Sequence, residues 1–299
     1  LKYFCELAPQ YHIACAGSLL GLALSGPSSF PVGKVDFLTM YPMSFAEFIL
    51  ASDEQMLYTN ALSNSFASKL EGLLRIYFIT GGMPEVVASW IKTGDINKVE
   101  EIQQRIIDGY ELDFAKHAQA SDFPKLTLIW HSIPNQLARE SGKFVFSHAK
   151  KGLRAKDLED ALEWLINAGL VYKVAKIEKP GIPLSAYADQ SYFKLYLSDV
   201  GLLGRMSKLP ASAWLQENPA FKEFKGAVTE NFVLCELVNL QNATPYYWKS
   251  GNTAEVDFII QLGNEIVPIE VKLERNTQAK SLALYQSKFK PEIAIKTSM

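Results

Sequence analysis

Two short runs near the carboxy-terminal end constrain this chain more than anything else in it. Glu255-Val-Asp257-Phe-Ile-Ile260 is followed, after Gly263-Asn264, by Ile266-Val-Pro-Ile-Glu270-Val-Lys272. β-Forming residues alternate or cluster in both runs, and a Gly-Asn pair between such runs is a hairpin signal. They therefore read as adjacent strands that bring Asp257, Glu270 and Lys272 near one another. Side chains alternate between the faces of a strand, so Glu270 and Lys272 share one. Two carboxylates and a lysine on a sheet edge can hold a divalent ion, Mg²⁺ or Mn²⁺, beside a phosphodiester, with the lysine positioning or polarising the attacking water. The plainer reading is a half-exposed antiparallel sheet on which Glu270 and Lys272 form an ordinary same-face pair.

A length of 299 residues, 48% hydrophobic and 21% charged, suits a globular chain of two or three domains. A net charge of −2 and a pI near 6.2 argue against a generally basic nucleic-acid coat and leave room only for local patches. Cys5, Cys15 and Cys235 lie far apart, two of them in apolar surroundings, which predicts buried reduced thiols and a cytoplasmic location. His12, His117, His131 and His148 are scattered, with no CxxC or HExxH spacing to bind zinc. No window is apolar for long enough to span a membrane, and no charged-then-apolar leader opens the chain. It opens on Leu1-Lys-Tyr-Phe-Cys-Glu6, a stretch that reads as mid-helix without an initiator methionine, so a fragment is expected.

Along the chain, Tyr11-His-Ile-Ala-Cys-Ala16 reads as a short apolar strand ending at Gly17-Ser18. Leu126 to Ala138 and Leu158 to Ala168 are helix candidates. In the second, Leu158, Ala161, Leu162, Leu165 and Ile166 form one apolar stripe closed by Gly169. Leu170 to Ile177 and Tyr192 to Leu197 predict a hairpin around a Pro180-Gly-Ile-Pro183 loop, and helices followed by a two-stranded wing suggest a winged helix. Phe221 to Leu240 predicts a helix carrying Glu230, Tyr246-Tyr-Trp248 a strand, Thr277 to Ser287 a helix and Ile293-Ala-Ile295 a closing strand. Trp90, Trp130, Trp164 and Trp214 fall on apolar helix faces and read as core or interdomain packing.

The order helix, three strands, helix, strand, with the D…ExK spacing of Asp257, Glu270 and Lys272, resembles the PD-(D/E)xK nuclease superfamily. That resemblance places Glu230 at the first-helix acid of a metal site shared with Asp257 and Glu270, and makes Lys272 the catalytic lysine. A wider resemblance rests on Tyr41-Pro-Met-Ser-Phe-Ala-Glu47-Phe, Thr80-Gly-Gly-Met-Pro84-Glu85, Tyr196-Leu-Ser-Asp199-Val-Gly201-Leu-Leu203 and the Glu255 to Lys272 block. In that order they look like the prokaryotic AAA-type ATP-binding proteins whose carboxy-terminal part is the DUF4143 domain. It implies Ser18 as a nucleotide sensor, with a helix N-cap as the alternative, and Gly81-Gly82-Met83-Pro84 as the start of a helical lid. The GxxxxGK[ST] loop and hhhhDE strand of such proteins are not in this sequence, so ATP is expected to bind the intact protein only.

The fold class expected is multidomain, α/β and α+β: residues 1–60 a remnant of a P-loop ATPase core, 61–120 a helical lid, 121–205 a winged-helix-like module and 206–299 a restriction-endonuclease-like αβββαβ domain. Asp157, Glu159, Asp160 and Glu163 make the Leu158 helix a poor reader of a DNA groove. Lys150, Lys151 and Arg154 just before it are the candidate phosphate contacts. Two functions compete. In one, a Mg²⁺- or Mn²⁺-dependent nuclease is gated by ATP. In the other, a catalytically inactive nuclease fold serves as a DNA- or protein-binding module of an ATPase switch. Either is compatible with a homo-oligomer, and neither with a membrane.

Overall fold

The computed structural model describes residues 2–17, 33–60, 64–139, 142–216, 219–240, 243–251, 254–273 and 278–298. Among them are thirteen α-helices and one mixed six-stranded sheet. The strands are β1 (Val171–Ile177), β2 (Ala188–Leu197), β3 (Tyr246–Ser250), β4 (Ala254–Leu262), β5 (Glu265–Lys272) and β6 (Ile295–Ser298). Their spatial order is β2-β1-β3-β4-β5-β6. Hairpins β1/β2 and β4/β5 are antiparallel, as is β3/β4, whereas β1/β3 and β5/β6 run parallel.

The last part of the chain follows the expected order: helix Lys222–Val238, β3, β4, β5, helix Lys280–Phe289, β6. Gly263, at φ 62°, occupies the left-handed turn between β4 and β5, a conformation a side chain would strain. What the sequence did not disclose is that β1 pairs with β3, through Lys176–Tyr247 and Ile177–Trp248. The β1/β2 hairpin is therefore part of the same sheet as β3–β6, and the expected boundary near residue 205 falls between strands of one sheet.

The helices before the sheet start where local chemistry stops the preceding loop. Ser44 and Glu47 form a reciprocal capping box at Phe45–Ala51. Pro84 supplies the first turn of Pro84–Thr93, which ends at left-handed Gly94. The helix Ala155–Asn167 buries the expected stripe of Leu158, Ala161, Leu162 and Leu165 and is followed by Gly169 at φ 72°. These helices share one core with a face of the sheet, running from Phe48, Phe78 and Trp130 through Leu165 and Leu195 to Val228, Phe258 and Ile269. On the opposite face, Trp248, Val256 and Ile259 pack against Leu282 and Tyr285 of helix Lys280–Phe289. Trp130 and Trp214 are buried and Trp90 and Trp164 pack against the same core. Tyr247 and Trp248, adjacent on β3, are both buried, one in each of the two cores.

Two expectations for the first residues do not hold. Tyr11–Ala16 is an exposed, irregular segment, because no described strand lies beside it to pair with its backbone. Cys5 and Cys15 are exposed free thiols rather than buried ones, and Cys235 is half-buried. Ser18 lies outside the described residues. Among those described, no helix is long and apolar enough to cross a membrane.

Candidate functional site

Three strands carry a set of charged side chains that are buried or half-buried in the sheet. Glu255 and Asp257 lie on β4 where its register with β3 slips, so that Val256 packs in the core of one sheet face and Phe258 in that of the other; Glu270 and Lys272 share a face of β5, and Lys194 and Tyr196 share one on β2. Helix Lys222–Val238 crosses that face and adds Glu230. Lys194 is 2% exposed, and its Nζ lies 2.8 Å from Glu230 Oε1 and 2.6 Å from Glu255 Oε1. Tyr196 donates its hydroxyl proton to the same Glu230 oxygen. Lys249 of β3 holds the other Glu255 oxygen at 3.1 Å, and Lys272 holds Glu270 Oε1 at 2.5 Å. Asp257 Oδ2 accepts the Val271 N–H at 2.7 Å, while Glu270 Oε2 is buried without a partner.

The electrostatics follow from this crowding. Burial raises the Asp257 pKa well above its ordinary value, the Glu230 and Glu270 charges add to the rise, and Lys194 and the Val271 amide oppose it. Glu270 is raised by burial against the pull of Lys272. Burial works against the Lys194 ammonium, but Glu230, Tyr196, Glu255 and Asp257 outweigh it and hold its pKa well above the usual lysine value. Removing either partner of a buried pair such as Lys194–Glu230 leaves an uncompensated charge, a loss of about 3–5 kcal/mol.

Of the acids expected to bind a metal, Glu230 is bonded to Lys194, which comes from a strand outside the D…ExK block, whereas Asp257 and Glu270 have separate partners. A hard divalent ion needs about six oxygen ligands, and here the ammonium engages Glu230 and Glu255, Lys272 engages Glu270 and a backbone amide engages Asp257. Among the described residues no group of three or more His, Cys, Asp or Glu is placed to hold a metal. As arranged, Glu230, Asp257 and Glu270 do not fit one. Lys150, Lys151 and Arg154 lie exposed on the 150–154 turn, apart from this cluster. Lys143 and Lys176 instead pack over the Tyr192 ring, at 3.6 and 4.4 Å from its centroid.

A second convergence joins the three segments singled out in the sequence. Asp199, 2% exposed, caps helix Val200–Met206 by accepting the Leu202 N–H at 2.8 Å, and its other oxygen accepts the Gly82 N–H at 2.7 Å. Gly82 in turn accepts the Met43 N–H at 2.7 Å, and a Cβ on Gly82 would lie 2.0 Å from the Met43 oxygen. Burial pushes the Asp199 carboxyl up to about 6, against the pull of the Leu202, Gly82 and Gly201 amides. Helix Lys222–Val238 ties this junction to the charge cluster: Glu236 accepts the Phe45 N–H at 2.8 Å, and Asn231 bonds both the N–H and the carbonyl of Leu197 at 2.9 and 3.0 Å. Phe45, Phe48, Tyr77 and Phe232 fill the gap edge to face, each such pair adding roughly 0.5–1.5 kcal/mol beyond area burial. Sequence reasoning missed Lys194, Asn231 and Glu236. The one legible signal was a lysine in phase with Tyr196 inside the otherwise apolar or aromatic half, Tyr192 to Leu197, of its strand.

Two domain families match this sequence. A domain of unknown function, DUF8612, covers residues 71–213, and a second, DUF4143, covers residues 225–298. The carboxy-terminal end is thus a DUF4143 domain, to which Glu230, Asp257, Glu270 and Lys272 belong, while Lys194 and Tyr196 come from the preceding matched region. The chain is also 35% identical over 80 residues to uncharacterized proteins of Mycobacterium bovis and Mycobacterium tuberculosis. That stretch is 26% of this chain and 17% of the relatives' own length. No solved structure matches.

Proposed function

We propose that this chain is the carboxy-terminal part of a prokaryotic AAA-type ATP-binding protein, and that its nuclease-like DUF4143 domain is a non-cleaving binding module of an ATP-driven switch. The observation that carries the second half is the Lys194 ammonium, bonded to Glu255 and to Glu230, an acid that a nuclease would need free for metal. Charges neutralised by the protein's own cations cannot activate water through a divalent ion. The first half is supported by the DUF4143 match and by the junction, in which segments far apart in sequence are bonded to the helix that lies over the sheet. A movement of residues 43–48 would be felt directly by Glu236 and, along the same helix, by Glu230. DNA is the partner this reading favours, with Lys150, Lys151 and Arg154 as exposed phosphate contacts. Incubating the purified chain with single- and double-stranded circular DNA in Mg²⁺ or Mn²⁺ tests it. The expected result is salt-sensitive binding without cleavage. Metal-dependent nicking that disappears in both Asp257→Ala and Lys272→Ala would restore the nuclease.

A further inference from the structure

We propose that the sheet edge carries a phosphate seat, formed by Lys143 and Lys176 where they share the Tyr192 ring, which anchors the sugar–phosphate backbone of DNA. Residues 190–192 of β2 have no partner on β1, since Lys176 pairs with Asp189 and Ala175 with Phe193. A bulge of this kind re-aims a side chain. Here it leaves the Tyr192 ring 43% exposed, with the Lys143 Nζ 3.6 Å and the Lys176 Nζ 4.4 Å from its centroid. Two ammoniums over one ring repel each other, and the cation–π attraction that holds each contributes only about 0.5–1 kcal/mol at an exposed site. The neighbouring carboxylates are already committed. Asp189 Oδ2 lies 3.4 Å from the Lys176 Nζ while its other oxygen accepts the Ser191 N–H at 3.0 Å, and Glu255 is divided between Lys249 and Lys194. Lys143 makes no ion pair among the described residues. Burial lowers its pKa, Lys176 and Lys249 lower it further, and Asp189 alone opposes them. An anion set between these lysines would relieve that repulsion.

The lysines are held in place rather than free. The backbone of Lys143 pairs with that of Lys194 at the sheet edge, and Phe144 donates its N–H to the Phe193 carbonyl at 2.9 Å, so Lys143 is fixed to the strand that carries Tyr192. Lys176 sits within β1. From Lys143 the chain runs on into Lys150, Lys151 and Arg154, and residues 139–156 hold six Lys or Arg against one acid in a chain whose net charge is −2. Of these, Arg139, Lys150, Lys151, Arg154 and Lys156 are exposed. A run of cations leading away from the seat suits a polymer of phosphates better than a single small anion. Helix Ala155–Asn167, which follows, turns Glu159, Asp160 and Glu163 to solvent and would be repelled from a groove, so the contacts are to the backbone and not to base edges. The seat rests on DNA as the partner and adds to it an anchor, with the 150–154 turn as the outlying contact.

Two probes keep the seat and the choice of DNA apart: labelled single- and double-stranded DNA followed by fluorescence anisotropy, and inorganic tripolyphosphate, which carries phosphate charge without sugar or base, followed by titration calorimetry. Both are run at low salt in EDTA. Lys143→Gln and Lys176→Gln should each weaken both probes about tenfold and lower the DNA salt slope by about 1. Lys143→Arg, which keeps the charge, should bind as wild type does. Asp189→Asn removes the acid beside the seat and should tighten both probes. DNA bound equally well by wild type, Lys143→Gln and Lys176→Gln overturns the seat and leaves DNA as the partner. If wild type binds no DNA, DNA falls as the partner and tripolyphosphate decides the seat: binding that weakens in both glutamine variants upholds it, and absent or unchanged binding overturns it.

Discussion

The Asp199 carboxylate makes a pH dependence that can be worked out in advance. Unfolded, it titrates near 3.8; in the junction, burial moves it to about 6. Between those values the folded protein keeps a proton that the unfolded chain has released, so stability falls as pH rises through the interval. It is greatest below the lower value and the loss is complete above the higher one. A separation of about 2 pH units corresponds to roughly 3 kcal/mol, of which about 2 kcal/mol falls between pH 4.5 and pH 7. Asp199→Asn cannot titrate. It keeps one acceptor for the Leu202 or Gly82 amide and loses the other, a cost of about 1–3 kcal/mol that does not depend on pH. The remaining carboxyls, Asp257 and Glu270 among them, contribute equally to both proteins and cancel in the difference. Urea unfolding at several pH values, followed by the fluorescence of Trp214, which stacks on Phe78 at 4.3 Å, gives that difference directly. Wild type should lose about 2 kcal/mol relative to Asp199→Asn on going from pH 4.5 to pH 7. Parallel pH profiles for the two proteins would show that Asp199 is not the buried, charged cap described above.

Four further outcomes are expected. Gly82→Ala should destabilise by about 3 kcal/mol, the upper end of the usual overpacking range, because its Cβ meets the Met43 carbonyl rather than a movable side chain; an unchanged melting temperature would refute the close approach. Asn231→Ala strips the Leu197 N–H of its side-chain partner and leaves the Leu197 carbonyl the weaker Cys235 thiol at 3.6 Å, and should cost about 1–3 kcal/mol in denaturant unfolding, against a negligible effect if water reaches them. Glu236→Ala should speed amide exchange at Phe45 about tenfold, whereas Glu236→Gln, which keeps an acceptor, should not. Reversing Lys150, Lys151 and Arg154 to glutamate should weaken DNA binding and lower its salt slope by up to about 3; unchanged low-salt affinity would remove them from the interface.

How far the sequence carried can be judged from particular residues. The β4/β5 hairpin was legible because its signals are local: period-two alternation and Gly263-Asn264 at the turn. The Ala155–Asn167 helix and its glycine stop were legible for the same reason, at a different period. Tyr11–Ala16 misled because an apolar run specifies a strand only when a neighbour completes its hydrogen bonds, and the pairing partner is not written in the run itself. Lys194 stayed hidden for a related reason. Its strand was recognised, but nothing local says that β1 lies beside β3, and that pairing alone brings β2 within reach of Glu230 and Glu255. The acids were therefore found and their cation was not. Asp199, Gly82 and Met43 were each noticed as parts of motifs, yet their mutual bonds span the chain and only folding reveals them.

The parallel contact of β1 with β3 also decides whether this chain can be divided. A cut at residues 207–211 looks harmless in sequence, since it falls outside every strand and helix. In space it would leave one piece with the side of β1 unpaired and the other with the side of β3 unpaired. Each would present a bare row of backbone donors and acceptors flanked by apolar side chains such as Ile177 and Trp248, the kind of edge that recruits other chains. The acidic face would at the same moment lose the lysine that neutralises it. Expression of residues 206–299 alone is therefore a route to aggregates, whereas the two pieces made together carry matching edges and should find each other, so that nicked protein stays one body.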